Sequence, residues 1–163
     1  MDPDEKIVAH ILSVWREAKK FWHIGGREGM LILTNKHLMF VIKTEAKMKW
    51  WQAMTERQFI NFAKSKNTMI TYDGYDEKNL LVDMENKQNL ELAFDNILKI
   101  EHEELVWGSV INLEYAEDGK KKKYRFSVVR DWVKYPAKEP TKYLKVDWKP
   151  FVQYIKDKQR VKE

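Results

Sequence analysis

Over residues 7–18 the apolar positions Ile7, Ile11, Val14 and Ala18 recur at helical spacing, flanked by Val8, Leu12 and Trp15. Asp2 suits a helix cap, Pro3 the first turn, and Glu5 follows three residues after the cap, so a helix is expected over 1–18. Ile7, Ala9, Ile11 and Trp15 also alternate, which leaves a strand over 7–15 as the competing reading. "KKFWHI" (19–24) drops the helical register and reads as a short strand, and Gly25-Gly26 breaks the chain. "MLILT" (30–34) and "HLMFVIK" (37–43) are apolar runs on either side of an Asn35-Lys36 turn, the signature of a tight hairpin.

Helical spacing returns in "MKWWQAMTERQFINFAK" (48–64), with Trp51, Met54, Phe59 and Phe62 as the apolar stripe, widened by Trp50 and Ile60. After "TMITY" and an Asp73-Gly74 break, 76–88 reads as a second helix with Leu80, Leu81 and Met84 inward. From residue 90 the period moves towards two. "LELAF", "SVINLEYA" and "KYRFSVV" are the expected strands, the last two joined by "EDGKKK" with Asp-Gly at its tip, while "ILKIEHEEL" is short and mixed. Residues 130–146 hold two prolines and read as a loop. Asp147, Pro150, Phe151, Val152 and Ile155 then predict a closing helix over 147–160.

The order of hairpin, helical segment, further antiparallel strands and terminal helix resembles the pleckstrin-homology (PH-like) superfold, and within it the GRAM and bacterial PH-type domains. Gly29, Leu31, Leu33, Thr34, Asn35, His37, Leu38 and Phe40 match the pattern "GxLxLTNxRLxF" of those families, with His37 where Arg is common. "ILKIEHEE", "GKKKKYRFSV" and "WKPFVQYIK" extend the resemblance over most of residues 27–159. It implies an α+β fold in which two nearly orthogonal antiparallel sheets make a barrel plugged by the C-terminal helix. The helix at 1–18 and the helical insertion at 48–89 would be additions to that plan, within a single domain spanning 1–163.

Length and composition agree with one folded unit: 163 residues, 44% of them hydrophobic, without an inter-domain linker. The chain has no cysteine, which removes disulfides, thiolate metal sites and cysteine nucleophiles together. "MDPDEKIVAH" lacks the basic and apolar regions of a signal peptide, so the expected location is the cytoplasm, with peripheral membrane attachment as a variant.

Charge changes the picture more. Residues 1–72 carry 12 Lys/Arg against 7 Asp/Glu, residues 73–118 carry 3 against 13, and residues 120–163 carry 15 against 5. Such blocks either pair inside the fold or mark opposed faces that support electrostatic docking, including self-association of the acidic 73–118 block with the basic 120–163 block.

Catalytic signatures are lacking. The four histidines form no HExxH or HxH, and His23 with His37 across neighbouring strands is the one pairing of note, so no metal is expected. There is no G-x-S-x-G elbow, and no G-K-[ST] follows the glycines at 25, 26 and 29. Neighbouring acids such as Asp83 and Glu85, or Glu101, Glu103 and Glu104, are accounted for by strand and helix faces. The expectation is a non-catalytic protein without a cofactor.

Basic clusters carry the functional expectation. In lipid-binding PH domains, cations around the first strand pair hold phosphorylated head groups, which by resemblance singles out Lys19, Lys20 and Arg27. Lys120, Lys121, Lys122, Lys123 and Arg125 form a second cluster, suited either to a solvated edge or to an anionic surface. The leading expectation is an interaction or adaptor domain for a protein partner or an anionic phospholipid surface. The alternative is a nucleic-acid-associated protein, since cations and rings interleave from Lys123 to Phe126 and again at Arg130, Trp132, Lys134 and Tyr135. Strand alternation would turn Tyr124 and Phe126 towards the core, which counts against the first of those two runs as a stacking platform.

Overall fold

A computed structural model describes residues 3–18, 27–42, 48–86, 89–129 and 143–160. The described elements are strands β1 (Ile7–Ala18), β2 (Arg27–Thr34) and β3 (His37–Ile42), helices α1 (Met48–Lys64) and α2 (Glu77–Asp83), strands β4 (Leu90–Ala93), β5 (Ile97–Glu104), β6 (Ser109–Glu117) and β7 (Lys120–Val128), and helix α3 (Lys149–Arg160). The strands form one antiparallel sheet in the order β4-β3-β2-β1-β7-β6-β5. It is an α+β fold whose sheet is open: β4 and β5 are its edges rather than partners that close a ring.

The two edges nevertheless follow one another in sequence, joined by a single 3₁₀ turn at Phe94–Asn96. The sheet therefore bends round one core, to which every strand and α3 contribute. Phe151, Val152 and Ile155 of α3 are buried in that core, as their spacing predicts, and Gln159 Nε2 donates to the carbonyls of Phe94 (2.8 Å) and Ile97 (3.0 Å).

The expected N-terminal helix is a strand. Ser13 has φ of 53°, and the β1–β2 register slips between Ile11 and Val14, which marks a bulge. Ala9 and Ile11 enter the inner core before the bulge and Val14 after it, so inward residues stand three apart across the extra residue. That spacing is what imitates a helix. Before the bulge the outer face carries His10 and Leu12, and the segment 67–76 lies beside it, with His10 N–H donating to the Ile70 carbonyl at 2.7 Å. Beyond the bulge β1 pairs with β7.

A second apolar layer covers the outer face of β1–β3. Leu12, Met30, Ile32, Met39 and Val41 pack against Trp51 of α1, Leu80 of α2, and Tyr72 and Tyr75 between them. This is why β2 and β3 read as unbroken apolar runs: both their faces are buried. The second helix is shorter than expected. Asp76 caps it by accepting from Lys78 and Asn79 N–H groups, and it ends at Asp83, leaving Leu81 53% exposed rather than inward.

In the β6–β7 hairpin, Glu117 pairs with Lys120 across Asp118 (φ 52°) and Gly119 (φ 76°), a two-residue turn with both positions left-handed. The lysines expected in the turn are therefore strand residues. Gly29 is not a turn residue either. It lies within β2, where an added Cβ would sit 2.5 Å from the Phe40 ring and from the Val41 carbonyl oxygen. Gly29→Ala should displace Phe40 and lower stability by about 1–3 kcal/mol, read as a shift in the urea unfolding midpoint. Gly25 and Gly26, and the strand expected at 19–24, lie outside the described residues.

Candidate functional site

The basic residues singled out from sequence fall into two groups. Arg27 opens β2, is exposed, and stands directly opposite Arg16 of β1, which in turn stands opposite Phe126 of β7. Directly opposed residues of an antiparallel pair share a face, so Arg16 points inward with Phe126. The last β1–β7 pair is Ala18 with Tyr124, and the β6–β7 hairpin continues past it as an arm bearing Lys120–Lys123, about 13 Å of strand. The arm and the Arg16–Arg27 pair lie towards the same end of β1, β2 and β7, but they do not converge on one point. Lys19 and Lys20 lie outside the described residues.

Part of the arm's charge is spent within it. Lys121 lies 3.7 Å from Glu114, and Lys122 Nζ donates to Glu117 at 2.6 Å. Arg125 is half-buried, 3.8 Å from Glu17, with its Nε donating to Asn112 at 3.4 Å. Lys120 and Lys123 are exposed and have no carboxylate partner among the described residues. Further along, Lys145 bonds Glu104 (3.3 Å) and the Leu105 carbonyl (2.7 Å). The acidic block and the basic C-terminal third thus meet inside the molecule at several points. A groove of about 290 Å³ lined by Lys66, His102, Lys145 and Lys149 also contains Glu104 and Asp147, so its charges largely offset one another.

Arg16 was not anticipated. Its guanidinium carbon lies 4.8 Å from the ring centroids of both Phe40 and Tyr124. Gly29 makes room for the Phe40 ring at this point. Burial, and secondarily the charge of Arg27, pull the Arg16 guanidinium below its ordinary value. Among the described residues no carboxylate pairs with it. A helical reading of residues 1–18 hides this residue, whereas alternation from Val14 through Arg16 to Ala18 would have turned it inward.

Tyr124 is half-buried, stacked on Tyr115 at 6.0 Å, and Phe126 is 1% exposed, so the rings between Lys123 and Phe126 face the core as alternation predicts. They are not a platform for bases. Arg130, Trp132, Lys134 and Tyr135 lie outside the described residues.

Two histidines occupy polar nodes. His37 Nδ1 lies 2.5 Å from Glu5 Oε1, a buried carboxylate that also accepts from the Thr34 hydroxyl at 2.7 Å. Thr34 Oγ1 in turn accepts from the N–H groups of Lys36 and His37, closing the β2–β3 turn. The threonine hydroxyl donates to the carboxylate and not to the imidazole, so the three side chains fasten a turn and do not form a nucleophile relay. His10, 3% exposed, accepts from Tyr72 N–H at Nδ1 and reaches the Tyr75 carbonyl from Nε2, each at 3.0 Å. A backbone N–H only donates, so Nδ1 carries the lone pair and Nε2 the proton. His23 lies outside the described residues, and among those described no three His, Asp or Glu side chains gather as metal ligands.

No protein-family model matches this chain, and a search of curated proteins found no similar sequence.

Proposed function

We propose that this protein is a non-catalytic interaction domain of the PH-like kind, and that it engages an anionic phospholipid surface through the β6–β7 arm. The observation that carries the reading is the arm itself: a hairpin extending beyond the β1 pairing, with Lys120 and Lys123 exposed and unmatched by carboxylates among the described residues. Residues 114–125 hold five Lys/Arg against three Asp/Glu, a surplus of two positive charges, with Arg27 towards the same end. Each cation near an anionic leaflet contributes about 1 kcal/mol, so the binding is weak, salt-sensitive and suited to a cytoplasmic surface. No described helix is long and apolar enough to cross a membrane. The PH-like assignment is supported by the antiparallel sheet bent round one core and by α3 seated on the β4–β5 turn.

Co-sedimentation with phosphatidylcholine vesicles, with and without phosphatidylserine, tests this. Binding at low salt is expected only with the anionic lipid, and Lys120→Glu with Lys123→Glu should abolish it. Absence of binding at low ionic strength removes the lipid reading and leaves a protein partner. Binding to an oligonucleotide, but not to vesicles, would transfer the arm to the nucleic-acid reading.

A further inference from the structure

We infer that the groove between α1 and residues 71–73 is a binding site for a free α-amino acid. The groove holds about 320 Å³ and is lined by Arg57, Ile60, Asn61, Thr71, Tyr72 and Asp73. That volume is at the lower end of the roughly 300–1,000 Å³ typical of small-molecule sites. None of these residues belongs to the lysine arm, so the site stands or falls apart from the anionic-surface reading.

Arg57, Ile60 and Asn61 lie on one face of α1, at helical spacing. The facing wall is held in place from behind. Tyr72 N–H donates to His10 Nδ1, and Trp50 Nε1 donates to the Asp73 carbonyl at 2.7 Å. Gly74, at φ of 100°, leaves the space that the Trp50 indole takes, since an added Cβ would lie 2.5 Å from its Nε1. A guanidinium from one wall and a carboxylate from the other thus line a single groove. They do not pair with each other, and neither side chain has another partner among the described residues.

Tyr72 is 7% exposed, and its hydroxyl accepts from Asn61 Nδ2 at 3.4 Å. No acceptor for the hydroxyl proton occurs among the described residues. Burial raises the Tyr72 hydroxyl above its ordinary value, against the smaller opposing effect of the Asn61 hydrogen bond, so it stays a donor near neutral pH. Asn61 Oδ1 is left as an acceptor. A free amino acid carries a carboxylate and an ammonium on one carbon near neutral pH. Arg57 and the Tyr72 hydroxyl supply donors for the carboxylate, while Asp73 and Asn61 Oδ1 supply acceptors for the ammonium. A singly charged ligand would leave one of the two charged side chains unmatched. Ile60, an exposed apolar residue on the same groove, favours an aliphatic side chain on the ligand.

Calorimetric titration of the full chain with L-leucine at low salt, beside thermal unfolding, tests the site. Leucine should bind and raise the unfolding temperature. 4-Methylpentanoate lacks the ammonium of leucine and 3-methylbutylamine lacks its carboxylate, and each should bind at least about tenfold more weakly. Arg57→Gln and Asp73→Asn alter exposed side chains, and Tyr72→Phe keeps the buried ring, so all three should fold. Each should weaken leucine binding about tenfold or more, the loss of one hydrogen bond to a charged group. Arg57→Gln and Asp73→Asn should bind phosphatidylserine vesicles as the native chain does, and Lys120→Gln with Lys123→Gln should bind leucine normally, so the two readings fail separately. The proposal is overturned if the native chain does not bind leucine up to about 10 mM. It is equally overturned if either singly charged analogue binds as tightly as leucine, or if Arg57→Gln or Asp73→Asn binds leucine as tightly as the native chain.

Discussion

Gln58→Leu is expected to remove about 4 kcal/mol of stability, although leucine fits an apolar stripe better than glutamine does. The reason lies in the β1 bulge. The backbone N–H of Leu12 donates to Gln58 Oε1 at 2.7 Å, and its carbonyl accepts from Gln58 Nε2 at 2.8 Å. One buried side-chain amide thus does for the bulge what a neighbouring strand does elsewhere, and it fastens α1 to the sheet. Leucine leaves both backbone groups buried and unpaired, at about 1–3 kcal/mol each. Set against a total stability of about 5–15 kcal/mol for a domain, that is a large fraction. Chemical denaturation should show the loss as a lower midpoint at unchanged slope, while Arg57→Ala, next along the helix and exposed, stays within about 0.5 kcal/mol. Gln58→Glu gives a sharper result. A carboxylate there accepts from Leu12 N–H but faces its carbonyl without a proton, so this variant should gain stability on acidification, as the protonated acid recovers the missing donor.

The native protein should behave in the opposite way, because of His10. Burial lowers its pKa in the folded state, outweighing the backbone hydrogen bond at Tyr75 and the charge of Glu77. The unfolded chain takes up its proton near pH 6.5 and the folded chain only at lower pH. Stability from this group is therefore complete above about pH 6.5 and declines as pH falls from there towards the folded pKa. Protonation of Nδ1 also sets a donor against the Tyr72 N–H, so the loosening should begin where the segment 67–76 meets β1. His10→Leu removes the imidazole partner of the Tyr72 N–H and of the Tyr75 carbonyl and should cost about 3 kcal/mol near neutrality. It should also flatten the pH dependence between about pH 7.5 and pH 5.5. A His10→Leu variant as acid-sensitive as the native chain would assign that sensitivity to another group.

Both sites lie where the amino-acid pattern misleads. The β6–β7 hairpin, α1 and α3 are legible because each keeps one period, and the β2–β3 hairpin because two apolar runs flank a short polar turn. β1 is not, since its register slips between Ile7 and Ala9 and again between Ile11 and Val14, and these irregularities break the alternation into spacings that resemble a helix. Gln58 is silent for a related reason: a lone polar residue in an apolar stripe looks like an interruption until the backbone it serves is known. At the candidate site, the family resemblance singles out Arg27, the run of lysines is visible as charge, and alternation places Tyr124 and Phe126 in the core. Arg16 requires the strand, the bulge and the missing Cβ of Gly29 together, and only the fold supplies all three.

The open edge at β5 has its own consequence. An unpaired strand edge is a template for the next chain, and β5 ends in Glu101, His102, Glu103 and Glu104, all exposed. Pairing another chain along this edge would take these carboxylates out of water, so the exposed acidic run disfavours edge-to-edge association. Charge placed on an edge strand would thus count against self-association by that route, whatever else the acidic block meets.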